Sequence, residues 1–87
     1  MIEVQFFRGR QSGCTAAQKD KLLSYMRNGR IFCASPSIKK DCMTGKDLPV
    51  FDYYQTDGQY IWSTEALYYL EKYDFDISSD FKNHVLN

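Results

Sequence analysis

The densest pattern of apolar and polar positions lies between Phe51 and Phe75, a stretch that holds most of the aromatic residues of the chain. Two short runs in it alternate aromatic and polar positions on either side of Asp57-Gly58. An Asp-Gly pair in this setting is a strong hairpin signal, because a type I′ turn needs positive φ at both central residues. The pattern therefore predicts a β-hairpin in which Tyr54 lies opposite Ile61 and Tyr53 lies opposite Trp62.

This register predicts two unlike faces for the hairpin. Burial of a large apolar side chain contributes roughly 1.5–3 kcal/mol, so we expect the face with four aromatic rings to pack in the core. Those rings belong to Phe51, Tyr53, Tyr60 and Trp62. The opposite face carries an acid among apolar groups, which indicates partial cover: Val50, Asp52, Tyr54 and Ile61.

Helix-start signals occur at three places. Thr15 and Gln18 have the spacing of a capping box, and the following apolar stripe predicts a helix from Ala16 to Asn28 that ends at a left-handed Asn28-Gly29 stop. Its stripe consists of Leu22, Leu23, Tyr25 and Met26.

The second signal is Ser63, an N-cap followed by an acidic first turn. One side of the predicted helix is apolar, with Ala66, Tyr69, Leu70 and Tyr73, whereas Tyr68 points to the other side with Glu65, Glu71 and Lys72. After a predicted turn from Asp74 to Ile77, Ser78-Ser79-Asp80 signals a short last helix with Phe81, Val85 and Leu86 inward.

The remaining stretches complete the fold prediction. Ile2 to Phe7 alternates as a strand that Gly9, Ser12 and Gly13 should break, and Arg30 to Ser35 predicts a strand that stops at Pro36. From Ser35 to Asp47 no period is visible, which predicts an exposed loop with Lys39, Lys40 and Lys46. The order predicts one α+β domain over residues 1–87, with an antiparallel sheet of three to four strands, including a C-terminal hairpin, packed against two to three helices.

Length and composition limit the classes of protein to which this chain can belong. A chain of 87 residues fits one domain with one modest core. Met1 to Val4 lacks the basic and apolar regions of a signal peptide, and no apolar stretch approaches the roughly 20 residues of a membrane span, so we expect a cytoplasmic protein that does not contact a membrane. Three cysteines without C-x-x-C spacing favour neither a disulfide framework nor a zinc site.

The formal net charge is zero, but the two halves of the chain have opposite signs. Up to Lys40 there are eight basic and two acidic residues, and from Asp41 onward there are three basic and nine acidic residues. If the halves present separate faces, one face suits a basic protein and the other an anion. Alternatively, the halves neutralise each other within the fold.

Catalysis is disfavoured by the distribution of reactive side chains. The only histidine, His84, lies near the C-terminus, and no motif supports a Cys–His nucleophile. Asp74 and Asp76 alternate in a predicted turn, but the glycine of a calcium loop is missing, and the glycines are too scattered for a phosphate loop. No catalytic residue, cofactor or metal is expected.

A nucleic-acid-binding module is the second class that the composition allows. It would use Phe6, Phe7 or Phe32 as stacking platforms beside the basic residues of the first half: Arg8, Arg10, Arg27, Arg30, Lys39 and Lys40. The zero net charge and the acidic second half disfavour this reading.

The run YQTDGQYIW from Tyr54 to Trp62, followed by YYLEKY from Tyr68 to Tyr73, resembles small bacterial immunity proteins of toxin/immunity systems, including those of contact-dependent growth inhibition. The resemblance covers the C-terminal half and, more loosely, Met26 to Ser35. It implies a cytosolic, non-catalytic inhibitor that binds the C-terminal domain of a cognate toxin, commonly a nuclease, and blocks its active site. A small regulatory adaptor that binds a host protein, with no toxin involved, is an alternative from another class.

An acidic, aromatic surface fits that role, since a nuclease cleft is basic and would attract it by electrostatic steering. The candidate partner-binding residues are Asp52, Tyr54, Asp57, Glu65, Tyr68, Glu71, Asp74 and Asp76. On this hypothesis, Asp57→Lys together with Glu71→Lys slows association at low salt and leaves folding intact.

Overall fold

The computed structural model describes residues 1–34, 39–48 and 53–87. Strands and helices follow one another along the chain as β1 (Ile2–Glu3), β2 (Phe6–Gln11), α1 (Ala16–Arg27), β3 (Arg30–Ala34), β4 (Tyr53–Thr56), β5 (Tyr60–Ser63), α2 (Thr64–Tyr73), β6 (Phe75–Ile77) and α3 (Ser79–Leu86). A four-stranded sheet has the order β1-β5-β4-β3, and β2 pairs with β6 in a second sheet. The predicted α+β class is confirmed, but the larger sheet is mixed, because β1 runs parallel to β5.

The predicted strand from Ile2 to Phe7 divides between the two sheets. β1 pairs with β5, Val4 turns into the core, and β2 pairs with β6 from Phe6 onward. The strand ends before Ser12, one of its three predicted breakers, but Gly9 does not break it. Its φ of 80° falls within the register irregularity between Phe7 and Gln11, where glycine accommodates a bulge that lets β2 continue.

α1 begins as predicted. The Thr15 hydroxyl accepts the Gln18 N–H, the Gln18 side chain accepts the Thr15 N–H, and the predicted leucines are buried with Met26. The helix end differs, because Asn28 is right-handed and Gly29 does not have positive φ. Glycine is required there for space, since a Cβ on Gly29 would overlap the Trp62 indole.

The hairpin forms with a different turn. Thr56 lies opposite Ile61, so the loop has four residues, and Asp57 does not adopt the positive φ of a type I′ turn. The Asp57 carboxylate instead accepts the N–H groups of Gln59 and Tyr60, at 2.9 and 2.7 Å. The register shifts by an even number of positions, so the faces are preserved.

The predicted core face of the hairpin is therefore only partly tested. Tyr60 and Trp62 are buried as predicted, whereas Tyr53 is half-buried. The predictions for Val50, Phe51 and Asp52 lie outside the described residues.

α2 begins at the predicted cap, where Ser63 Oγ accepts the Ala66 N–H. The helix is buried on two sides. Ala66 and Leu70 join the main core, whereas Tyr68 and Tyr69 join a second cluster with Leu48 and Phe75. The predicted exposure of Tyr68 is therefore wrong: the side chain is 9% exposed and contacts the segment 39–48.

The segment from Asp74 to Ile77 was predicted as a turn, but Phe75–Ile77 is a fully buried strand paired with β2. The following helix α3 matches its prediction, with Phe81 and Val85 buried. Trp62 forms the centre of the main core, where its ring lies 5.2 Å from that of Phe81 and its indole N–H donates to the Met26 carbonyl at 3.2 Å. Within residues 1–34, 39–48 and 53–87, no helix is long and apolar enough to cross a membrane.

Candidate functional site

Ion pairs join the basic first half of the chain to the acidic second half. They link Arg10 to Asp76, Lys19 to Asp74, Arg27 to Glu71 and Lys39 to Glu65. Lys40 also contacts Asp47 at 3.4 Å. This pattern favours neutralisation within the fold over two separate charged faces.

Asp57 has an internal role at the hairpin turn. Its side chain is 13% exposed, and its carboxylate accepts the Tyr25 hydroxyl at 2.5 Å and lies 3.1 Å from His84 Nε2. Burial alone would raise the pKa of Asp57, but the hydrogen bonds from Tyr25, the turn amides and His84 lower it to about 2. Asp57→Lys would leave these donors without an acceptor, so the prediction that this change leaves folding intact needs correction.

Asp74 and Asp76 also make internal contacts. Asp74 ends α2 in the left-handed conformation, and its carboxylate accepts the Ser12 hydroxyl at 2.7 Å. Asp76 is 6% exposed and accepts hydrogen bonds from Arg10 and Lys82. Burial opposes ionisation of Asp76, but these two cations outweigh it and lower its pKa. The partner-binding role of Asp74 and Asp76 stays a prediction.

Asp41 anchors the segment 39–48 through a buried carboxylate, although it lies in the stretch predicted to be an exposed loop. Asp41 is 2% exposed and accepts the hydroxyls of Tyr68 and Tyr73, at 2.6 and 2.8 Å, and the Met43 N–H at 2.7 Å. Burial disfavours its charge, yet these hydrogen bonds lower the pKa of Asp41 to about 2. Asp41 followed by Thr44-Gly45 is a turn signature that could have suggested this anchor.

Two of the remaining predicted residues, Tyr68 and Glu71, lie in a cleft between α2 and β4. The cleft has a volume of about 240 Å³ and is lined by Arg27, Tyr53, Gln55, Thr64, Leu67, Tyr68 and Glu71. The Glu71 side chain is 49% exposed, and Glu65, on the same helix, is 22% exposed. Tyr54 is half-buried on the opposite face of β4, and Asp52 lies outside the described residues. Tyr68 and Glu71 are thus brought together, and sequence reasoning missed Tyr53 as a cleft wall.

A second, larger cleft of about 440 Å³ adjoins the hairpin turn and is lined by Lys21, Ser24, Tyr25, Asn28 and Asp57. The hydrogen bond to Asp57, together with burial, raises the pKa of Tyr25 to about 12. Tyr25 is therefore a protonated donor near neutral pH and does not supply a phenolate nucleophile. Its contact with Asp57 and His84 stabilises the turn next to this cleft.

Among the described residues, no group of three or more His, Cys, Asp or Glu side chains is placed to hold a metal ion. The chain is a small α+β domain, and the cleft between α2 and β4 holds two of the predicted partner-binding residues, Tyr68 and Glu71. Comparison of the chain with protein-family models, curated proteins and solved structures finds no match.

The lowered carboxyl pKa values predict acid sensitivity. Asp41 and Asp57 have folded-state pKa values of about 2, below the unfolded value of about 3.9, so the folded state binds fewer protons than the unfolded chain in this interval. Their stabilisation is present above about pH 4 and is lost as the pH falls towards about 2. Urea unfolding at a series of pH values should show the midpoint falling in this window. Asp57→Asn should reduce the slope, and a midpoint that does not change with pH would contradict the assignment.

Proposed function

We propose that this chain is a non-catalytic immunity protein that acts in the cytoplasm and neutralises the C-terminal domain of a cognate bacterial toxin, a nuclease. The observation that carries the proposal is the cleft between α2 and β4, where the half-exposed Glu71 carboxylate lies beside the rings of Tyr53 and Tyr68. A carboxylate next to aromatic rings suits an arginine or lysine side chain, because the carboxylate pairs with the charge and the rings pack against the apolar stem.

The intramolecular pairing of Glu71 is compatible with this role. Arg27 and Glu71 are both about half exposed, and exposed ion pairs contribute only about 0.2–1 kcal/mol. A cation from the partner can therefore replace Arg27 at small cost. Glu65 lies six residues earlier on α2, outside the cleft lining, and pairs with Lys39 at 3.8 Å; its side chain is 22% exposed.

A nucleic-acid-binding module is the second candidate. Arg10, Arg27, Lys39 and Lys40 each lie within ion-pair distance of an acid, which weakens a phosphate-binding surface built from them. The feature in its favour is Phe32, 55% exposed and two residues from Arg30. A regulatory adaptor would use the same protein-binding cleft as the immunity protein, and the identity of its partner separates the two.

Affinity capture from the native host lysate, with a parallel nuclease-treated sample, tests this function. The proposal predicts recovery of a toxin C-terminal domain that survives nuclease treatment and whose activity the protein inhibits. Recovery that disappears with nuclease would favour nucleic-acid binding, and recovery of a host regulatory protein would favour the adaptor.

The charge of the cleft should control association with that domain. Glu65→Lys together with Glu71→Lys replaces the half-exposed acid of the cleft and a second, less exposed acid of the same helix. The double change should slow association by at least roughly tenfold at low salt, since electrostatic steering changes association rates by about 10 to 10³. The effect should shrink as salt is added. Stopped-flow or surface-capture kinetics would measure the rate.

The matched control is Asp20→Lys with Asp80→Lys, which makes the same change in net charge at exposed residues outside the cleft. If both double variants slow association equally, net charge rather than the cleft is responsible. Circular dichroism of both variants checks that the fold is retained.

A further inference from the structure

β3 forms an edge of the four-stranded sheet and exposes apolar side chains. It pairs with β4, and no other strand of the described residues pairs with it. Ile31 is 67% exposed and Phe32 is 55% exposed, and both rank among the few large apolar side chains that the described fold leaves in water. Exposed apolar side chains on an edge strand are features suited to contact with another chain.

Edge strands are commonly protected from pairing by charges, proline or bulges. In β3 the charge is at the first residue, Arg30, and the register irregularity lies between Ile31 and Cys33. The described part of the chain places no carboxylate within ion-pair distance of Arg30. Aromatic residues and arginine are enriched at the centres of protein interfaces. Ile31 and Phe32 beside Arg30, which has no ion-pair partner among the described residues, match that composition.

We propose that β3 binds an extended segment of a partner protein, which adds a strand at this edge, packs apolar side chains on Ile31 and Phe32 and places a carboxylate opposite Arg30. In this mode main-chain hydrogen bonds supply affinity, and the alternating side chains supply specificity. The inference goes beyond the proposed function, because it does not depend on whether the partner is a toxin.

Charge favours a different chain over a second copy of this one. Antiparallel self-pairing of β3 centred on Phe32 would place Arg30 opposite Ala34 of the other copy, and β3 contains no acidic residue. Self-pairing would therefore leave Arg30 without a carboxylate on the paired strand. A partner segment that carries an aspartate or glutamate supplies the carboxylate that β3 lacks. This carboxylate can form a bidentate, charge-assisted hydrogen bond with the Arg30 guanidinium.

Selection from a phage-displayed library of linear peptides tests the inference, with peptides of about ten residues, enough to span a strand. Enriched peptides should alternate apolar and polar residues and contain an acid. Their affinity should fall by at least about tenfold, or 1.4 kcal/mol, for Ile31→Lys with Phe32→Lys, and separately for Arg30→Glu. N-methylation of alternate peptide amides should abolish binding, because it removes ladder donors.

Met43→Lys is the matched control, since Met43 is 54% exposed and lies outside β3. The inference is overturned if the library yields no enriched sequence, or if the β3 variants bind the enriched peptides as well as the original protein. A concentration-dependent dimer in sedimentation that Ile31→Lys with Phe32→Lys dissociates would also overturn it, in favour of self-pairing. Because the probe is a peptide library, failure here leaves the toxin capture result unaffected.

Discussion

Trp62→Ala is expected to lower the free energy of unfolding by about 3–5 kcal/mol, the largest effect of any single core substitution considered for this domain. The Trp62 side chain is fully buried, contacts the rings of Tyr25 and Phe81 and donates its indole N–H to the Met26 carbonyl. Truncation would remove these contacts and leave a cavity between β5, α1 and α3. Since small domains are stable by about 5–15 kcal/mol, much of the native stability depends on this ring.

Urea unfolding followed by circular dichroism measures this loss. Phe32→Ala is the control, since it also removes an aromatic ring, but from a side chain that is 55% exposed. Substitutions at such surface positions change stability by about 0.5 kcal/mol or less. Equal losses in the two variants would contradict the position of Trp62 at the centre of the core.

Gly29→Ala is expected to destabilise the protein by about 1–3 kcal/mol, the usual cost of inserting atoms into a packed core. The backbone of Gly29 is compatible with alanine, so the expected loss comes from contact of the new Cβ with the six-membered ring of Trp62. Thermal and urea unfolding of the variant measure this loss.

A double-mutant cycle identifies the cause. Trp62→Phe removes the indole atoms that the introduced methyl group would meet, so the combination of the two substitutions should be less destabilised than the sum of the single changes by at least about 0.5 kcal/mol. Strict additivity would show that Gly29 has another role. Gly58→Ala is a useful contrast, because Gly58 has a φ of 100° and open space around it, so its cost arises from backbone strain and should not couple to Trp62.

The helices could be predicted from the sequence because their signals are local. Thr15 with Gln18 and the cap at Ser63 satisfy N–H groups within three residues, and the apolar stripe of α1 identifies its buried face. The strand pairings depended on distant residues. The two residues of β1 belong beside β5, and Phe75–Ile77 is a strand because β2 supplies its partner from more than sixty residues away.

The site was less predictable because acidic side chains have several possible partners. The sequence shows Asp57, Asp74 and Asp76 as candidate surface acids, whereas the fold places Tyr25, Ser12 and Lys82 next to them. These contacts join residues far apart in the chain, and no local pattern encodes them. Glu71 was identified correctly as an accessible acid of α2, since its helical position alone places it away from the apolar side.

An inhibition titration of the captured domain tests most directly whether the cleft between α2 and β4 neutralises a toxin domain, as we propose. Purified protein should abolish the activity of the domain at a fixed stoichiometry, and the Asp20→Lys with Asp80→Lys control should do the same. Glu65→Lys with Glu71→Lys should require a clearly higher concentration at low salt. A captured domain that keeps its activity in the complex, or equal inhibition by all three proteins, would contradict this proposal.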